Sequence, residues 1–403
     1  MRYCVVIPDG MADLPVERLD GRTPMEAARK PNMDRASREG LLGRVLTVPP
    51  RLHPGSAVAI MSVMGYDPEK YYTGRGPLEA ADMGVELRDS EIAFRCNLIT
   101  TDGGSIVDFT AGHVSTAEAQ ALMSALGEHL GGPEVTFYAG TSYRNLMVYS
   151  GSLKLSAETT APHDVVGEPF AGHLPHGPGS ETITGLMQRS VDVLADHEVN
   201  RVRRSRGQSP ANMIWLWGQG ITPSMEPFAE KYGGTGAAIS AVNLIRGMAR
   251  LIGWDVIHVP GATGYVDTDY AAKGRYAVDA LGSHDLTFVH VEAPDEAAHE
   301  GDVDAKIGAI ERIDADIIGP IMAAAARYPD LRLLIVPDHV TSVFSGKHMH
   351  GNVPFVIYGA GVKERSGLDF TEAGAARTDV LVEHGHELMG RFLGAIESGA
   401  APH

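Results

Sequence analysis

The sequence predicts an α/β protein: a mostly parallel sheet with helices on both faces, into which a smaller α+β cap is inserted. Three observations predict it. After Asn212, apolar runs of strand length alternate with helical patterns, as β–α units of a parallel sheet do. A run of the same kind, YCVVI, stands at the start of the chain. Between the two, the texture changes to short strands interleaved with two long helical patterns. At 403 residues the chain also exceeds the size at which one core keeps growing. The expected division is a discontinuous α/β domain, 1–87 with 206–403, and an inserted cap, 88–205.

Taken in order, Arg2–Ile7 is the first strand, rich in Val and Ile. A helix follows over Pro31–Gly40, with Pro31 suited to a first helical turn and Gly40 to an end. The turn HPGS leads into an apolar helix over about Ala57–Met64, and the Gly-rich YYTGRGPLEAADMG reads as a connection. In the cap, EIAFRCNLI, SIVDFTA, EVTFYAG and NLMVYSG read as strands, Thr116–Leu130 and Thr182–His197 as helices, and RVRRSRGQSP as the return linker. The second half reads strand MIWLW, helix Ala237–Ile252, strand WDVIHV, a helix near Tyr276, then strand DLTFVHVEA and helix Ala305–Ala326. Strands LRLLIVP and PFVIYG and a closing helix Asp379–Ile396 complete it.

Composition narrows the function. With 34 Lys and Arg against 51 Asp and Glu, the net charge of −17 opposes nucleic acid and anionic membrane as partners. The longest apolar runs are far short of the roughly 20 residues that span a bilayer. The start MRYCVVIPDGM reads as a strand, not a signal peptide. Two cysteines, Cys4 and Cys96, give no disulfide framework and fit a reducing cytoplasm.

Carboxylates and imidazoles recur at strand ends: Asp9 after YCVVI, Asp295 and His299 after DLTFVHVEA, Asp338 and His339 after LRLLIV, and His348 before VPFVIYG. Open α/β sheets bind ligands outside the carboxyl ends of their strands, so these groups can converge. Six O/N donors of this kind suit two divalent cations, with Mn²⁺, Zn²⁺ and Co²⁺ all compatible. His348 and His350 compete for one ligand position, whereas His290, inside a strand, reads as a core histidine. Ser56, on the sharp turn before an apolar helix, offers a hydroxyl that metal coordination could activate. The whole reads as a two-metal phosphoryl-transfer site acting on a small phosphorylated acid. WGQGITP carries Gly218 and Gly220 but has Pro223 in place of a third Gly, and reads as a turn rather than a dinucleotide fingerprint. No P-loop and no HExxH motif occurs.

The motifs PDGM, KPNMDRASREG, PGSAVAIMSVMGYDP, TGRGPLEA, APHDVVGE, EKYGGTGAAISAVNLIRG, PGATGYVDTDYAAKG, EAPDEAAHEGD, VPDH and KHMHGNVPF occur in this order over nearly the whole chain. The set resembles the archaeal-type cofactor-independent phosphoglycerate mutases of the alkaline phosphatase superfamily. That resemblance implies a phosphatase-like metal domain, a substrate-handling insert, and glycolytic interconversion of 3- and 2-phosphoglycerate through a phosphoserine on Ser56, without 2,3-bisphosphoglycerate. It implies one metal on Asp295, His299 and His348, and another on Asp9, Asp338, His339 and the Ser56 oxygen. It places Lys231 against the phosphate, His163 or Asp164 as the mover of glycerate protons, and Arg75, Arg95, Asp108, His113 and Arg144 around the substrate. Two positions depart from the pattern: Ala57 stands where Asp is frequent, and His113 where Arg is expected. A phosphomonoesterase on the same core, or a non-catalytic protein that binds metal or sugar phosphate, are the alternatives. Oligomeric state is not legible.

Overall fold

The computed structural model describes residues 1–151 and 156–394. They form two compact units: Met1–Tyr72 with the chain from Ser224 onward, and Thr73–Pro223.

The larger unit is built on an eight-stranded sheet. Its order is Leu381–Val382, Leu41–Val45, Val353–Gly359, Leu331–Ile335, Arg2–Pro8, Leu286–Val291, Gly236–Ile239 and Asp255–Val256. Among the described residues only Val353–Gly359 runs against its neighbours in this sheet; every other pairing in it is parallel. The first strand lies in the middle, with Pro8 level with Val291 and Val6 level with Ile335. Its residues Cys4–Ile7 are fully buried, as a continuous apolar run between two parallel neighbours should be.

Several elements differ from expectation. Ala237–Ile252 is not one helix: Gly236–Ile239 is a sheet strand beside Leu286–Val291, and the helix is Asn243–Leu251. The apolar GAAI run was short enough to pass for a helical turn. WDVIHV contributes only Asp255–Val256, at the sheet edge. Leu41–Val45 is a strand that Gly43 and Arg44 disguise in sequence. The pattern over Ala305–Ala326 is helix Val303–Ile313, a π-helical turn Asp314–Ile318, and helix Gly319–Ala324. Pro320 explains the break, since it has no N–H to give and its ring crowds the carbonyl four residues back. The turn also frees Asp314, whose carboxylate accepts the Met33 N–H at 2.7 Å and the Asn32 N–H at 3.2 Å. It thereby satisfies the first turn of helix Pro31–Arg38 from a distant point in sequence. Of the expected closing helix, Glu387–Leu393 is helical, Leu381–Val382 is a strand, and residues 395 and 396 lie outside the described residues.

The inserted unit is α+β. Its antiparallel sheet runs Ile106–Asp108, Ile92–Thr101, Arg144–Tyr149 and Val135–Thr141, and Met213–Gly220 pairs with the other side of Ile92–Thr101. Helices Thr116–Leu130 and Ser180–Leu194 pack on it over a separate core that includes Phe94, Leu122, Met187 and Trp215. A reciprocal cap between Ser115 and Glu118 starts the first of these helices. The unit begins at Thr73 and ends at Pro223, wider than the 88–205 read from the sequence. MIWLW belongs to this sheet through its hydrogen bonds to Ile92–Thr101, not to the parallel one. The supposed connection YYTGRGPLEAADMG is mostly helix, Arg75–Asp82. Its glycines allow close approach: a Cβ on Gly74 would strike the Gln219 carbonyl, and one on Gly76 the Ala93 carbonyl.

Candidate active site

The parallel strands deliver their carboxyl ends to one side of the larger unit, and the acidic residues follow those ends. Asp9 follows the first strand and Asp338 follows Leu331–Ile335. Asp295 and His299 lie one turn apart on helix Ala293–His299, directly after Leu286–Val291. A short hairpin, Val340–Ser342 with Lys347–Met349, sets His348 opposite Thr341. Gly10 permits the convergence. Its φ is +58°, and a Cβ there would lie 2.6 Å from Thr341 Oγ1 and still nearer Asp295 Oδ1.

Two donor groups result. In the first, His299 Nε2 lies 3.0 Å from Asp295 Oδ2 and 3.0 Å from His348 Nε2, and His348 Nε2 lies 3.5 Å from Asp295 Oδ1. In the second, His339 Nε2 lies 3.2 Å from Asp338 Oδ2, 3.5 Å from Asp9 Oδ1 and 3.2 Å from Ser56 Oγ. His350 is exposed on the other side of Met349, so the hairpin brings His348 and not His350 to the donors.

The outer contacts fix which ring nitrogens face inward. His299 Nδ1 donates to the Gly346 carbonyl at 2.7 Å, which turns Nε2 toward Asp295 Oδ2 and His348 Nε2. Thr341 Oγ1 donates to Asp295 Oδ1 at 2.6 Å, so it accepts from His339 Nδ1 at 3.0 Å and leaves His339 Nε2 bare. Imidazole nitrogens turned toward carboxylates by outer partners are what a cation requires.

The Asp295 hydrogen bond raises His299 to about 9, so its Nε2 holds a proton that a cation would displace. Asp9 is fully buried, and burial together with the charges of Asp338, Glu292 and Asp295 pushes its carboxyl well above the usual range. Burial also lowers His339. Burial opposes the charge on Asp295, yet hydrogen bonds from His299 and His348 more than reverse this and hold it well below the usual range. Among the described residues, Asp9 Oδ1 and Asp338 Oδ2 are buried with no hydrogen-bond partner. Two orphaned carboxylate oxygens beside a bare imidazole nitrogen are costly unless a cation takes them. The residues therefore fit divalent metal.

Ser56 opens helix Ser56–Val63 after Gly55, and Gly55 rather than Ser56 is the N-cap. The Ser56 hydroxyl is thus not spent on capping; it faces His339 at the end of a helix where an anionic oxygen is favoured.

Lys231 lies elsewhere. Its ammonium donates to the Gly65 carbonyl at 2.8 Å, between the rings of Tyr66 and Tyr232. Gly65 follows the far end of the Ser56 helix, roughly 12 Å along its axis from the hydroxyl. A cation at a helix C-terminus is favourable in itself, and the structure does not bring Lys231 to Ser56.

In the inserted unit, Arg75, Arg95 and His163 surround one residue that sequence reasoning missed, Trp217. The Arg95 guanidinium lies 4.4 Å and the Arg75 guanidinium 5.5 Å from the indole centroid, and the His163 ring meets it edge-on at 5.3 Å. Arg95 is buried, which with the nearby Arg75 and Arg144 lowers it to about 10 against the pull of Glu79, its ion-pair partner at 2.9 Å. Asp108 accepts from the Thr110 N–H and hydroxyl and the Gly112 N–H, each at 2.7 Å, and so shapes a turn in which Ala111 and His113 take positive φ. His113 and Asp164 are exposed, and Arg144 stacks on Tyr143 at 4.7 Å. WGQG is therefore the end of a strand that carries an arginine platform, where a side chain on Gly220 would crowd the Thr73 carbonyl. Also unforeseen was His290, whose Nε2 lies 2.7 Å from Asp9 Oδ2. Its strand position allowed only a core reading.

Fold and site together define a metal-dependent phosphoryl-transfer enzyme. The family described as 2,3-bisphosphoglycerate-independent phosphoglycerate mutase matches residues 37–200. A 2,3-bisphosphoglycerate-independent phosphoglycerate mutase of Methanothermobacter thermautotrophicus is 50% identical over 390 residues, 96% of each chain. Among solved structures, a Pyrococcus horikoshii protein superposes with a TM-score of 0.81 at 27% identity, covering 99% of both chains. A cofactor-independent phosphoglycerate mutase of Thermoplasma acidophilum superposes at 0.65 with 27% identity, over 98% of this chain and 99% of the other. The chain belongs to the 2,3-bisphosphoglycerate-independent phosphoglycerate mutases.

Proposed function

We propose that the protein interconverts 3-phosphoglycerate and 2-phosphoglycerate, with Ser56 as the covalent carrier of the phosphoryl group. The observation that carries the assignment is the Ser56 hydroxyl, uncapped at a helix N-terminus and 3.2 Å from a bare His339 nitrogen among orphaned carboxylate oxygens. Two divalent cations would be held, one by Asp295, His299 and His348 and one by Asp9, Asp338, His339 and Ser56. Bound there, they would supply Lewis-acid stabilisation of the phosphoryl oxygens and favour the ionised serine. Mn²⁺, Zn²⁺ and Co²⁺ all suit these donors.

Ser56 Oγ attacks phosphorus, the bond to the glycerate oxygen breaks, and that oxygen takes a proton. The other glycerate hydroxyl then loses a proton and attacks the phosphoserine, which restores Ser56. Arg75 and Arg95 would match the glycerate carboxylate, and His163 or Asp164 would move the hydroxyl protons. His113 holds a carboxylate less firmly than an arginine would. Water must be kept out while phosphoserine exists, or hydrolysis competes. A glycolytic role fits a cytoplasmic protein acting on a small phosphorylated acid. The test is a single reaction with 3-phosphoglycerate in which 2-phosphoglycerate and free phosphate are measured together. Formation of 2-phosphoglycerate in excess is expected; phosphate alone would make the enzyme a phosphatase.

A further inference from the structure

Behind Asp9 lies a buried polar chain that the proposed reaction does not use. His290 is fully buried, as is Asp9, and Ser240 is nearly so. The Val242 N–H donates to Ser240 Oγ at 3.0 Å. Ser240 Oγ lies 3.2 Å from His290 Nδ1, and His290 Nε2 lies 2.7 Å from Asp9 Oδ2. These residues cross three adjacent strands: Ser240 follows Gly236–Ile239, His290 is in Leu286–Val291, and Asp9 follows the first.

The donors and acceptors admit one arrangement when Asp9 is ionised, as a ligand must be. The His290 Nε2 then carries the proton, because two lone pairs cannot face each other at 2.7 Å. Nδ1 must accept, and the Ser240 hydroxyl is the donor at hand; Ser240 in turn accepts from the Val242 backbone. Every member is satisfied, and Asp9 Oδ1 is left bare toward His339. The strand end is also pinned from below, where Lys273 Nζ donates to the His290 carbonyl at 3.2 Å.

We infer that His290 is a positioning residue: through Ser240 and the Val242 backbone it fixes the Asp9 carboxylate so that one oxygen is presented to the cation shared with Asp338 and His339. Asp9, His290 and Glu292 also lie close enough to be read as a separate cation site, with Glu292 Oε2 3.4 Å from His290 Nε2. Both His290 nitrogens are already engaged, which argues against it. The inference takes the two-cation assignment proposed above as given, and its test separates the two.

Full-length wild type, His290→Phe, His290→Gln and Ser240→Ala would be stripped with chelator and titrated with Mn²⁺ by calorimetry, with bound metal counted by elemental analysis. Wild type should take two equivalents. His290→Phe keeps the ring volume and loses the donor. It should bind one equivalent as wild type does and the other about 10–100-fold more weakly, the usual cost of losing an outer partner of a ligand. His290→Gln, which can restore an N–H, should recover to within a few-fold. Ser240→Ala should weaken the same equivalent and leave the other unchanged. Two unaltered equivalents in His290→Phe, or in Ser240→Ala should the first fail to fold, overturn the inference alone. A third wild-type equivalent lost in His290→Phe would make His290 a ligand and overturn it as well. Failure of wild type to bind two Mn²⁺ sinks the metal assignment itself, and the positioning role with it.

Discussion

Ser56 and His348 each rest on a single atom, so each can be tested by removing it. Ser56→Ala should abolish mutase activity and leave most metal affinity, because several donors remain. Loss of one oriented donor typically costs about 10²–10³ in rate; loss of the carrier removes the covalent step. Wild type quenched in acid with labelled 3-phosphoglycerate should show label on the peptide containing Ser56. Label on a histidine peptide, or activity in the variant, would refute the serine mechanism. His348→Ala should lose one metal equivalent while His350→Ala keeps both, since only His348 reaches Asp295 and His299. Elemental analysis of the two variants decides it. At this scale the ligand candidates were legible because they combine the right donor chemistry with strand-end position. Lys231 was not, because nothing in EKYGG says that its ammonium finishes on the Gly65 carbonyl. Trp217 escaped for the opposite reason: an apolar strand residue gives no sign that two guanidinium groups stack on it.

Elements bring those atoms together, and the turn after the first strand is the tightest of them. Gly10→Ala must adopt φ near +58° and displace Asp295 or Thr341. A cost of about 1–3 kcal/mol is expected from the strained backbone. The same change should weaken Mn²⁺ binding by at least about tenfold, measured by titration beside a thermal melt. Asp285 gives an element-scale test of pH. Its carboxylate accepts from the Thr235 N–H and hydroxyl at 2.8 and 3.0 Å, and these bonds hold it below the usual range. A depressed folded value means stability that is complete above the unfolded value near 4 and is lost as pH falls through the folded one. Melting temperature should therefore drop from about pH 5 downward, and Asp285→Asn should show a shallower drop; equal slopes would exclude the contribution. The two long helices of the insert were readable, and Thr116–Leu130 matches its expected bounds. Short elements were not. Gly236–Ile239 and Leu41–Val45 carry too few residues for a period, and their identity is set by the neighbours they pair with.

For the whole molecule, the two units have separate cores, and the proposed ligands all belong to one of them. Removing metal should therefore act unequally. Chelation should abolish activity and lower the calorimetric transition of the larger unit by several degrees, while the transition of Thr73–Pro223 stays in place. A uniform shift of both would mean that the units unfold as one. The α/β pattern and the presence of an insert were evident from sequence. The insert's edges were not, because Met213–Gly220 has the composition of a parallel-sheet strand and only its hydrogen bonds to Ile92–Thr101 assign it.

The central place of Arg2–Pro8 has a consequence for biosynthesis. On the ribosome this strand emerges long before its neighbours, which begin at Leu286 and Leu331. At about 5–20 residues per second, it waits on the order of 15–60 s with both hydrogen-bonding edges open. Thr73–Pro223, continuous in sequence, can complete its own core in the meantime. Nascent chains halted before residue 286 should therefore present a protease-resistant insert behind an apolar, unpaired amino-terminal segment. That segment is where a chaperone of the translating ribosome would be needed most.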